Sequence, residues 1–117
     1  MNTSDATTGD LDADRIDLYW RPGCGFCMML RRNLDQLGVE RVEHDIWSDL
    51  EAAEIVRSHA NGNETVPTVV VGGVGMVNPS ARELTSFLAD RAPHLLPDGF
   101  EPKPERSLSA AFNRLFR

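Results

Sequence analysis

The stretch RIDLYWRPGCGFC, Arg15 to Cys27, changes its pattern halfway along. In its first part Ile16, Leu18 and Trp20 fall on one face of an extended chain, the period-two mark of a strand. Arg21-Pro22-Gly23 then reads as a turn. Beyond it the period lengthens. Cys27, Leu30, Leu34 and Leu37 recur at steps of three and four, with Arg31, Arg32, Asn33, Asp35 and Gln36 between them. That predicts a helix from Cys24 or Gly25, stopped by Gly38 as the left-handed C-terminal residue. Both cysteines of the chain therefore lie at one strand-to-helix junction, two residues apart.

Working outward, Arg41 to Ile46 places Val42, His44 and Ile46 on one side and predicts a second, half-buried strand. Ser48 with Glu51 matches a capping box and predicts a helix through Leu50, Ala53, Ile55 and Val56, ending near Asn61-Gly62. The β-branched run Thr65 to Val71 predicts a strand, with Pro67 allowed only at its start. Gly72-Gly73 predicts a hairpin into a short strand around Gly75 to Val77. Asn78 reads as an N-cap and Pro79 as the first residue of a last helix through Leu84, Phe87 and Leu88. The order β-α-β-α-β-β-α predicts an α/β domain with a four-stranded mixed sheet. With C-x-x-C at the first strand-to-helix junction, this is the arrangement of the thioredoxin fold.

Composition sets the boundaries. The chain has 117 residues and a net charge of −6. Asp5, Asp10, Asp12 and Asp14, with no base among residues 1–14, account for four of those six charges. Residues 1–14 are polar and acidic and predict a disordered arm. Residues 15–92 form the folded domain. Residues 93–117 begin with a proline-rich linker and end in SLSAAFNRLFR, whose Leu108, Phe112, Leu115 and Phe116 mark a possible short helix. An acidic pI near 4.9 without a basic cluster argues against nucleic acid. The N-terminus lacks the basic start and apolar stretch of a secretory signal, and no window has the length of a membrane span. The expectation is a cytoplasmic monomer, in a compartment where thiols stay reduced.

There a C-x-x-C pair is best read as redox machinery. Exchange requires a thiolate to attack, an approach to it, and a second thiol to resolve the mixed disulfide. Cys24 stands at the mouth of a helix, where unpaired N–H groups and the helix dipole stabilise an anion. Arg21 adds a fixed positive charge three residues earlier, and Gly25 leaves the approach open. Cys27 lies one turn on, facing inward. Cys24 is thus the expected nucleophile and Cys27 the resolving thiol. Zinc is the competing reading. Its nearest tetrad, Cys24, Cys27, His44 and His59, lacks zinc-finger spacing, so no metal site is expected. In a thioredoxin-type fold the loop before the third strand faces the active cysteine. A cis Pro67 there would leave Val66 free to pair its backbone with a bound thiol.

With LYWRPGCGFC, TVPTVVV and the helix after Asn78 in place, the chain resembles a glutaredoxin over about residues 16–91. The resemblance implies that Arg21 takes the basic position before the nucleophile and Phe26 the aromatic position between the cysteines. It also implies that Thr65, Val66 and Pro67 line the thiol groove. One departure stands out. Glutaredoxins commonly carry two aspartates before the last helix that hold the ammonium of glutathione, and here the stretch is Val77-Asn78-Pro79-Ser80-Ala81. Asn78 and Ser80 suit hydroxyl or amide partners better than an ammonium. In this the chain is similar to the actinobacterial mycoredoxins, which use the sugar-bearing thiol mycothiol. Eleven arginines against one lysine fit a GC-rich source.

The resemblance implies a thiol-disulfide oxidoreductase that reduces mixed disulfides between proteins and mycothiol, with S-thiolated proteins as clients. Mycothiol would be the co-substrate, no bound cofactor would be needed, and a mycothiol reductase using NADPH would supply the electrons. Two other readings stay open at this point. A thioredoxin-like electron donor to protein disulfides, such as those of ribonucleotide reductase, would need both cysteines. A module binding an iron–sulfur cluster is suggested by the closeness of CGFC to the Cys-Gly-Phe-Ser of monothiol glutaredoxins.

Overall fold

A computed structural model describes residues 11–100. Strand β1 (Ile16–Trp20) is followed by helix α1 (Gly25–Leu37), β2 (Val42–Asp45), α2 (Leu50–His59), β3 (Thr68–Val71), β4 (Val74–Val77) and α3 (Ala81–Arg91). The sheet order is β2-β1-β3-β4, with β1 parallel to β2 and antiparallel to β3, and β3 antiparallel to β4. This is the mixed four-stranded sheet that the sequence predicts.

The strand alternation sorts the side chains onto two faces. Ile16 and Leu18 join Leu30, Leu34, Val69, Val71, Leu84 and Leu88 in one core, between the sheet and helices α1 and α3. Trp20 closes the edge of that core, with the Arg31 guanidinium 4.2 Å over its ring. Tyr19, from the opposite face of β1, packs with Ile46, Ala52, Ala53 and Val56 under α2. His44 stacks on Tyr19 at 4.7 Å and bonds Asp17 Oδ1 through Nε2 at 2.8 Å. Burying a polar pair on this face is tolerated because each partner is satisfied.

Helix ends show where short-range sequence signals compete. Gly38 caps α1 at φ 78°, as its sequence predicts. The Ser48–Glu51 box does not form. Asp49 caps α2 instead, its Oδ1 accepting the N–H groups of Glu51 and Ala52, while Ser48 Oγ donates to the Asp45 carbonyl. The carboxylate accepts two helix N–H groups at once, which stabilises the start more than one hydroxyl would. Likewise Asn78 is not the cap of α3. Ser80 is, in a reciprocal box with Glu83. Asn78 adopts φ 54° and its N–H continues the sheet by donating to the Pro67 carbonyl at 2.7 Å. Gly72 and Gly73, both at positive φ, form the two-residue turn between Val71 and Val74.

The packed region extends past both edges expected from composition, 15 and 92. Leu11 and Ala13 rest on the α1–α3 core, and the Leu11 N–H donates to the Arg91 carbonyl at 2.7 Å. On the other side Pro93–Leu95 form a 3-10 turn, and Leu95 and Leu96 also rest on the core. The His94 ring donates from Nε2 to the Ala13 carbonyl, tying the two margins together. The acidic arm over residues 1–10 and the helical stripe of Leu108 to Phe116 lie outside the described residues.

Candidate active site

The turn after β1 sets the position of the first thiol. Gly23 takes φ 78°, so the chain reverses and presents Cys24 as the N-cap of α1. Its Sγ accepts the Cys27 N–H at 3.2 Å, using one of the helix donors that have no partner within the helix. The positive end of the helix dipole thus faces this sulfur. Antiparallel pairing of β1 with β3 sets Tyr19 against Thr68, which brings the residues before β3 beside the residues after β1. The Cys24 thiol accordingly lies 3.7 Å from the Val66 carbonyl, as a long sulfur hydrogen bond. The Val66–Pro67 peptide is cis, as the sequence reading expects for this loop.

The two thiols differ sharply. Both are free. Cys24 keeps 6 % of its surface and Cys27 none. Burial, and secondarily the hydrogen bond with Cys24, pushes the Cys27 thiol up to about 12, against a smaller opposing pull from the Arg21 backbone and charge. Cys27 is therefore held protonated at neutral pH.

The remaining predicted residues fall on two sides of Cys24. Phe26, 65 % exposed, forms one wall of a cavity of about 240 Å³ whose other walls include Met29, Asn78, Pro79, Ser80 and Glu83. This brings Phe26, Asn78 and Ser80 together on one cavity. Ser80 Oγ accepts the Glu83 N–H at 3.0 Å, so its O–H and one lone pair are left to offer a ligand. Thr65 is exposed, and its carbonyl accepts from Thr68 Oγ1 at 2.8 Å, a bond that fixes the loop ahead of β3. Arg21 points the other way. Its Nη1 donates to the Pro22 carbonyl at 3.0 Å, and its guanidinium stands 5.2 Å over the ring of Trp47.

Two contributors were not singled out from sequence. Glu83 puts a carboxylate on the cavity, with Oε1 accepting the Ser80 N–H at 2.9 Å. The spacing Ser80-x-x-Glu83 was its available signal, masked by the apparent Asn78-Pro79 start. Trp47 had a weaker one: it follows Ile46, a buried position, so alternation turns it outward. Among the described residues no group of three or more metal-ligating side chains gathers. His44 is bonded to Asp17, and the His59 ring lies so close over Gly75 that a Cβ there would meet it at 2.2 Å. Among these residues no helix is long and apolar enough to cross a membrane.

Comparison with known proteins agrees with this arrangement. The crystal structure of a mutant of the thioredoxin-like protein BC3987 superposes with a TM-score of 0.58 at 23 % identity, covering 66 % of this chain and 97 % of that one. It supports the fold. A relative from Mycobacterium tuberculosis strain H37Rv that bears the glutaredoxin name is 38 % identical over 74 residues, 62 % of this chain and 88 % of its own. Another so named, from Synechocystis, is 35 % identical over 57 residues, 49 % of this chain and 65 % of its own. The glutaredoxin family pattern matches residues 16–76, a segment that holds both thiols, Val66 and Pro67. The chain belongs to the glutaredoxin family and is a thiol-disulfide oxidoreductase.

Proposed function

We propose that the chain removes mycothiol from S-thiolated proteins in the cytoplasm, acting as a monomer without a bound cofactor. The observation that carries this reading is the wall of the cavity between Phe26 and Ser80. Where a glutathione-using glutaredoxin presents two aspartates, this wall presents the amide of Asn78 and the hydroxyl of Ser80. Its carboxylate, Glu83, has one oxygen occupied by the Ser80 N–H. An amide and a hydroxyl match the neutral acylated amine of such a thiol better than a free ammonium. The mycobacterial relative adds support from the same group of bacteria.

In the reaction the Cys24 thiolate attacks the mycothiol sulfur of the mixed disulfide. One S–S bond breaks and one forms, and the client cysteine leaves as a thiolate that takes up a proton. A second mycothiol then attacks the adduct, restoring Cys24 and giving oxidised mycothiol for an NADPH-dependent reductase. Alternatively Cys27 loses its proton as it attacks Cys24, releasing mycothiol and closing the Cys24–Cys27 disulfide. The raised value at Cys27 makes that step slow unless its proton is taken up at the same time.

The test uses reduced Cys27→Ser protein, which retains any adduct on Cys24. It is exposed separately to oxidised mycothiol and oxidised glutathione and followed by intact-mass spectrometry. Faster gain of mycothiol supports the reading. Equal, slow gain of both would replace it with direct electron donation to protein disulfides.

A further inference from the structure

The cavity of about 240 Å³ is smaller than the roughly 300–1,000 Å³ that encloses a drug-sized ligand, so part of a sugar-bearing thiol bound there would lie outside it. The cysteine of such a thiol carries an acyl group on its nitrogen and the sugar, through an amide, on its carbonyl. If that cysteine pairs with the Val66 backbone, its two substituents run to opposite sides of Cys24. One would then run toward the Phe26–Ser80 cavity and the other toward Arg21.

Beyond Arg21 stands Trp47, 64 % exposed although it is one of the largest apolar groups in the chain. The guanidinium 5.2 Å over its ring helps to fix it, and its N–H donates to Asp45 Oδ1 at 2.9 Å, fixing the backbone as well. Asp45, Asp49, Glu51 and Glu54 surround it in sequence, and residues 45–54 contain no base. A broad aromatic face stacks on the C–H face of a sugar ring, while carboxylates accept from its hydroxyls. The same carboxylates disfavour an anionic ligand. Resting on the proposed use of a sugar-bearing thiol, we infer that Trp47, held by Arg21, is the platform for the sugar half of that thiol and adds to the choice between thiols.

The test compares oxidised mycothiol with oxidised N-acetylcysteine, which has the same acylated cysteine and no sugar. In each case the Cys24 thiolate takes one half of the disulfide and expels the other as a thiolate. Adduct formation is timed in the Cys27→Ser background with Trp47, Trp47→Phe or Trp47→Ala. With Trp47 in place the mycothiol reaction should be the faster, and Trp47→Ala should slow it about five- to tenfold. The N-acetylcysteine reaction should not change, and Trp47→Phe should recover most of the loss. Equal slowing with both probes would show that Trp47 acts on the sulfur through Arg21, and no slowing would place the sugar elsewhere; either overturns the inference while the thiol preference stands. Slowing seen only with S-thiolated protein, whatever its small thiol, would make Trp47 a client contact and also overturn it. If the Trp47 protein takes both probes at one rate, the underlying mycothiol reading fails as well.

Discussion

On the β3–β4 side of Cys24 the fixed groups belong to the backbone or are tied to it. The Val66 carbonyl faces the sulfur, the Pro67 carbonyl takes the Asn78 N–H, and Ser80 and Glu83 cap one another. On the β2–α2 side they are the side chains of the half-buried Arg21 and the exposed Trp47, joined by one cation–π contact. A backbone frame holds its geometry through most substitutions, so it suits what every exchange partner shares, the reacting sulfur. A side-chain flank changes with each substitution, so it suits discrimination between partners. On this reading the side-chain flank adds to the discrimination that Asn78 and Ser80 begin on the other side.

The largest test of that division is Cys24→Ser, which should reduce exchange with every disulfide to background, whatever flank the substrate uses. Activity surviving with one thiol only would show that Cys27 attacks in its place. Cys27→Ser comes next and should split the substrates. Removal of a small thiol, followed by coupled NADPH oxidation, should stay within about a few-fold of wild type, because a second small thiol resolves the adduct. Reduction of a protein disulfide should be lost.

A smaller effect follows from the dryness behind Cys24. An unfolded chain releases the Cys27 proton near the ordinary value of 9.0, while the folded chain keeps it to about 12. Across that window the folded state binds more protons, so stability falls as pH rises through it; below 9.0 both states are protonated and the contribution is flat. Denaturant midpoints of the reduced protein should therefore drop with rising pH more steeply than those of Cys27→Ala. Parallel curves would mean that Cys27 ionises as freely as an exposed thiol.

How far each flank was legible follows from what builds it. The thiol pair, Gly38, the glycine hairpin and the loop at Thr65-Val66-Pro67 have short local signals, because a turn or a helix mouth needs particular residues within a few positions. All of them appear in the structure where the sequence put them. The helix starts were misread by one or two residues at Ser48 and Asn78, since several capping residues stood side by side and the local pattern did not rank them. The Arg21–Trp47 contact had no such signal. It joins positions 26 residues apart through sheet order, and an exposed tryptophan has no partner periodicity to mark it.

The smallest effect concerns Ser80, which both caps α3 and lines the cavity. Ser80→Ala should cost about 1 kcal/mol by removing the side-chain acceptor for the Glu83 N–H, a fall of roughly 4–8 °C in Tm for a domain of this size. Ser80→Gly loses the same hydroxyl, yet costs only about a few tenths of a kcal/mol, because glycine is itself tolerated at an N-cap. The two variants thus differ in stability and match in what they offer a ligand. Suppose adduct formation with oxidised mycothiol slows equally in both while their melting temperatures separate. The hydroxyl then touches the thiol, and the backbone-built side also takes some part in selection. A rate that follows the melting temperature would instead confine Ser80 to holding the frame, and selection would rest with the flank of Arg21 and Trp47.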